Sequence, residues 1–101
     1  MTVKHTVLFG FNDNVDETQV RQAITELNRL PELIPEVRSW EIAEDVGKRG
    51  TSLRFALLAT FDDMAAVERY LKHPEHEKVV ARALPLLHQL AEHDYTMVAS
   101  V

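Results

Sequence analysis

With 101 residues, 46% of them hydrophobic and 27% charged, the chain has the size and composition of one globular domain spanning residues 1–101. It contains no cysteine, which excludes disulfides, thiolate metal sites and cysteine nucleophiles. Its formal net charge is −5, and the 11 Lys and Arg are scattered among 16 acids, so the concentrated basic face that nucleic acid needs is not expected.

The opening Met1-Thr2-Val3-Lys4-His5 lacks the charged-then-apolar run of an export signal. No apolar stretch approaches the ~18 residues of a membrane span, so a cytoplasmic protein with no membrane partner is expected. Val3 to Phe11 alternates as a strand does, with Val3, His5, Val7, Phe9 and Phe11 in one phase. A helix follows. Asp16 suits its N-cap, Gln19 completes a capping box, and Val15 and Val20 form a hydrophobic staple. Val20, Ala23, Ile24, Leu27 and Leu30 share one side, and Pro31 is expected to end the helix at Leu30. Pro31 to Pro35 reads as a crossover. Val37 to Val46 reads as a second strand with Trp40, Ile42 and Val46 in phase, and Leu53 to Phe61 as a third after a polar loop.

Asp62 or Asp63 caps the next helix, which carries Met64, Val67, Tyr70 and Leu71 until His73-Pro74 interrupts it. A further helical stretch from Glu75 is expected to carry Val79, Val80, Leu84, Leu87 and Leu90 inward, kinked or divided by Pro85. Ala91 to Val101 reads as the last strand. His93, Tyr95, Met97 and Ala99 fall in one phase, and Asp94, Thr96, Val98 and Ser100 in the other.

The order β-α-β-β-α-β predicts an α+β, ferredoxin-like sandwich with a four-stranded antiparallel sheet. One sheet face must meet the helices. The other, carrying Thr6, Leu8, Ala56, Leu58, Thr60, Thr96 and Val98, is too apolar to stand free in solvent. A second copy covering it would give a homodimer through the sheet face, a dimeric α/β barrel.

Without cysteine, chemistry falls to five histidines, two tyrosines and the acids. His5 lies by parity on the helix-facing side of the first strand, where an imidazole among apolar residues is costly without a partner. The densest cluster is Tyr70-Leu71-Lys72-His73-Pro74-Glu75-His76, and a helix over that face would bring Tyr70 or His76 to His5. Such a pocket suits a general base and a hydrogen bond to a developing enolate oxygen. The competing reading makes His5 a core histidine bonded to a backbone carbonyl and His73 a helix cap after the Pro74 break. A metal site from His5, His73 and His76 is not expected, because the proline between the last two breaks the register that would align them. His88, near a helix end, and His93, opening the last strand, read as structural. Trp40 reads as a core or dimer-interface anchor whose N–H needs one partner.

Four segments together resemble the stress-responsive A/B barrel (Dabb) domain. They are Val3-Lys4-His5-Thr6-Val7-Leu8-Phe9, Leu30-Pro31-Glu32-Leu33-Ile34-Pro35, the Tyr70 to His76 cluster, and Asp94-Tyr95. The resemblance covers nearly the whole chain. It implies a ferredoxin-like homodimer, no cofactor, and a role in stress response or small-molecule metabolism. A plant polyketide cyclase of that family performs aldol chemistry with a first-strand histidine, a tyrosine and a histidine of an H-P-x-H segment. Carried over, these are His5, Tyr70 and His76, with His73 matching the other histidine of the segment. Two classes of function therefore stand side by side. One is a binder of a small carbonyl or aromatic ligand; the other is a cofactor-independent acid–base enzyme with His76 as base.

Overall fold

The structure is a computed structural model and describes residues 1–98. Its elements run β1 (Val3–Phe11), α1 (Glu17–Leu27), α2 (Leu30–Leu33), β2 (Ser39–Glu44), β3 (Phe55–Phe61), α3 (Met64–Lys72), α4 (Pro74–Ala83), a 3₁₀ turn (Leu84–Leu86) and β4 (Leu87–Thr96). The strands form one antiparallel sheet in the order β2-β3-β1-β4. The sheet is open, with β2 and β4 at its edges.

Local chemistry sets most element boundaries. Asp16 accepts from the Gln19 amide at 2.8 Å while the Gln19 side chain accepts from the Asp16 amide, the reciprocal capping box the sequence suggests. Asp63 caps α3 by accepting from the Ala66 amide at 2.8 Å. Its neighbour Asp62 instead accepts from Arg38 in a two-pronged pair. His73 Nδ1 accepts from the Glu75 amide and so caps α4, whose first residue, Pro74, has no N–H to satisfy.

Four expectations change. Helix α1 stops at Leu27, and Leu30 instead opens the short α2, where Pro31 fits because the first turn needs no internal N–H donor. Strands β2 and β3 are shorter than the alternation suggested, and Val46 lies beyond β2, 93% exposed. Leu87 and Leu90 belong to β4 and not to a helix, because α4 ends at Ala83 and the Leu84–Leu86 turn, with Pro85 in it, delivers the chain straight into the strand. His88 is consequently a strand residue; its Nδ1–H donates to the Phe11 carbonyl at 2.9 Å.

The fourth change concerns the outer face. The pairing of β1 with β4 sets Val3 opposite Thr96 and His5 opposite Asp94, so Thr96 lies in the helix-facing phase. Val98 follows the end of the strand. Tyr95 and His93, opposite Lys4 and Thr6, take the outer face instead, their rings 5.8 Å apart. His93 is thus a mid-strand residue rather than the strand's first. The expected continuation through Ala99, Ser100 and Val101 lies outside the described residues.

The core gathers on the helix-facing side of β1 and β3. Phe9 stacks on Phe55 with ring centroids 5.6 Å apart, Phe11 meets both edge-on, and Phe61 packs against Tyr70 at 5.0 Å. Leu30, Ile34, Ala59, Phe61 and Val67 are fully buried. The Trp40 N–H finds its partner in the Asn28 side-chain oxygen at 2.9 Å, tying β2 to the end of α1.

Candidate functional site

On the β4 side of the same sheet face the packing opens into a cavity of about 310 Å³. Its floor is His5, Val7 and Phe9 of β1, its back Tyr70 and Leu71 of α3, its roof His76, Val80 and Ala83 of α4, and its far wall Leu87, Leu90 and Glu92 of β4. The lining is predominantly apolar with a few convergent polar groups, the usual character of a small-molecule site.

His5, Tyr70 and His76 all reach this cavity. The Tyr70 ring lies 6.0 Å from that of His5 and 4.5 Å from that of His76. His73 does not join them, being spent on the α4 cap. Among the described residues, no group of three or more His, Asp or Glu is arranged to hold a metal ion.

His5 is 2% exposed, and its partner is neither a backbone carbonyl nor a residue of the helices. Asp94, directly opposite on β4, accepts from its Nδ1 at 2.5 Å. A carboxylate can only accept, so Nδ1 carries the hydrogen, and in the neutral ring Nε2 keeps its lone pair. His76 is oriented in the same way: Nδ1–H donates to the Leu71 carbonyl at 3.0 Å, which again leaves Nε2 as the acceptor. Burial pushes the His76 pKa below its ordinary value, outweighing the Leu71 bond, so the ring is neutral at pH 7. Burial, helped by the charge of Glu92, pushes the Tyr70 hydroxyl up, so it remains a proton donor.

No fully buried polar side-chain atom among the described residues lacks a partner. Tyr70 makes no side-chain hydrogen bond there, so its hydroxyl is the part of the ring that meets open space. The cavity therefore offers a hydroxyl donor and two imidazole acceptors inside an apolar shell.

Two members of this constellation escaped the sequence reading. Asp94 and Glu92 stand in the helix-facing phase of β4, but that phase is fixed only by the register against β1, where Val7 faces Glu92 and His5 faces Asp94. A signal exists: an imidazole in an apolar strand requires a partner, and a carboxylate within the last strand is a candidate. Nothing in the local sequence chooses it over Tyr70 or His76.

The sheet order and helix layer define an α+β protein of the ferredoxin-like class. A dimeric ferredoxin-like protein of unknown function from Thermobifida fusca superposes with a TM-score of 0.85 at 32% identity, covering 96% of this chain and 92% of that one. The family model described as the Stress responsive A/B Barrel Domain (Dabb) matches residues 3–97, and the chain belongs to that family. An uncharacterized protein of Streptomyces coelicolor is 37% identical over 81 residues, 78% of this chain and 84% of its own length. The hydroxynitrile lyase of Passiflora edulis shares the fold, with a TM-score of 0.89 over 99% of this chain and 96% of that one at 19% identity.

Proposed function

We propose that the cavity takes a small carbonyl or aromatic compound and that the chain is a cofactor-independent acid–base enzyme acting on it. One observation carries this reading: two imidazoles, each with Nδ1–H committed to an oxygen, flank a tyrosine hydroxyl that has no protein partner, all in one apolar cavity. In the step this supports, His76 Nε2 takes a proton from the carbon beside a carbonyl. The electron pair moves onto the carbonyl oxygen, where the Tyr70 O–H donates to it. His5 Nε2 accepts from a ligand donor and holds its orientation. The His5–Asp94 pair favours a second assignment, with His5 as base and the carboxylate stabilising the imidazolium that forms.

Deuterium uptake beside the carbonyl of a panel of aryl methyl ketones in heavy water tests this without knowledge of the natural substrate. His76→Ala is expected to slow exchange by about 10²–10⁴ with the fold intact. Loss in His5→Ala but not in His76→Ala would move the base to His5. Protein-catalysed exchange that neither variant reduces would leave only ligand binding.

The outer sheet face supports a homodimer. Leu8 is 42% exposed on it, beside half-buried Ala56, Leu58 and Thr60, and such a face on a small domain calls for a partner. The Thermobifida fusca relative is described as dimeric. Light scattering is expected to give twice the chain mass. Leu58→Glu should dissociate the pair and Arg21→Glu should not, because an unpaired charge is costly only where it becomes buried. The description of the family supports a part in stress response, and the cavity a part in small-molecule metabolism.

A further inference from the structure

The wall of the cavity contributed by β4 is apolar at Leu87 and Leu90 and then carries a carboxylate, Glu92. This residue is exposed and forms no ion pair among the described residues, where Arg38, Arg54, Arg69, Lys78 and Arg82 pair with other acids. Its charge reaches the cavity it lines: it adds to burial in raising the Tyr70 hydroxyl and partly offsets the lowering of His76 by burial. Among the described residues Glu92 neither caps a helix nor bridges two elements.

The polar inventory of the cavity is lopsided. Glu92 and the two imidazole Nε2 atoms accept, whereas the Tyr70 hydroxyl is the donor. A ligand that satisfies this set presents one acceptor to Tyr70 and a hydrogen-bond donor toward Glu92. A ligand with a carboxylate at that end is brought against a like charge, and like charges in contact repel even where solvent reaches them. A hydrophobic wall discriminates weakly between ligands of one shape, whereas a charge on the wall separates a neutral ligand from an anion of the same shape.

We infer that Glu92 is a specificity-determining residue that selects neutral, hydroxyl-bearing carbonyl compounds and rejects carboxylates. The inference rests on the cavity being the ligand site. A cavity of about 150 Å³ holds a benzene ring, so about 310 Å³ has room for one ring with two substituents.

Two probes of matched shape separate the possibilities. 4-(Hydroxymethyl)benzaldehyde and 4-carboxybenzaldehyde carry the same carbonyl and differ at the far end in a neutral donor against an anion. Binding at pH 7 is followed by the imidazole signals of His5 and His76 in NMR titrations. The wild-type chain is expected to bind the alcohol at least tenfold more tightly. Glu92→Gln should bring the ratio within about threefold, chiefly by tightening the carboxylate, and Glu92→Asp should restore it. Equal binding of both probes by the wild type, or a ratio that Glu92→Gln does not change, overturns the role of Glu92 and leaves the pocket standing. Failure of both probes to move either imidazole in both proteins overturns the pocket reading and this inference with it.

Discussion

The helix-facing side of the sheet is built in two ways on its two halves. Over β1 and β3, near β2, aromatic rings and branched side chains from α2 and α3 fill the space, and Phe61, Leu30, Ile34 and Val67 are sealed from solvent. Over β1 and β4, α4 stands off the sheet and leaves the cavity, and β4 is exposed along almost its whole length. The polar groups have gathered in the hollow half: His5, Tyr70, His76, Glu92 and Asp94. One half holds the domain together, and the other is free to hold something else. Phe61 and Tyr70 form the seam, with ring centroids 5.0 Å apart.

Truncation on the two halves should separate them most sharply. Phe61→Ala removes a fully buried ring and is expected to cost about 3–5 kcal/mol in urea unfolding. Val80→Ala, which enlarges a space already present, should cost about 1 kcal/mol or less. Equal costs would mean that the hollow half is as well packed as the solid one.

The next effect lies on the boundary between core and cavity. Asp94→Ala leaves the buried His5 ring without its acceptor and is expected to destabilise by about 1–3 kcal/mol. Asp94→Asn keeps an oxygen acceptor and should cost less. Should the two variants unfold alike, the His5–Asp94 bond contributes nothing to stability.

Acid should distinguish the halves too. His76 has a folded pKa below the ordinary 6.5, so the unfolded chain binds its proton more readily. The stability this neutral ring contributes is fully present above pH 6.5 and is lost as pH falls through the folded pKa. Unfolding midpoints between pH 7.5 and 5 should therefore fall less steeply for His76→Gln than for wild type. Parallel curves would place the ring in water-like surroundings. The smallest effect is on the titration itself: Glu92→Gln removes a charge that raises His76, and the NMR midpoint of that ring should move further down.

Much of the solid half is legible in the sequence. Strict alternation in β1 and β3, the Asp16–Gln19 box and the Asp63 cap are local, and each is read within a few residues. So is the meeting of His5, Tyr70 and His76, given a helix over the first strand. What escaped depends on distant pairing. The phase of β4 is set by its register against β1, with an irregularity between Gly10 and Phe11, and alternation alone does not say which phase looks inward. The same ambiguity put Thr96 and Val98 on the outer face and hid Asp94 and Glu92. Leu87 and Leu90 read as helical in the sequence because apolar residues three apart fit a helix as well as a buried strand.

Strand β4 is also an edge of the sheet. Ten residues long and, among the described residues, paired only with β1, it offers a row of backbone groups onto which another chain could add a strand. Its sequence works against unguided addition. Glu92 and Asp94 point to one face and His93 to the other, so an incoming strand would meet charge or a polar ring in the middle of any new ladder. The carboxylates that line and orient the cavity thus also guard the edge. Removing both, as in a Glu92→Val, Asp94→Val double variant, should turn the wall of the cavity into a template for aggregation.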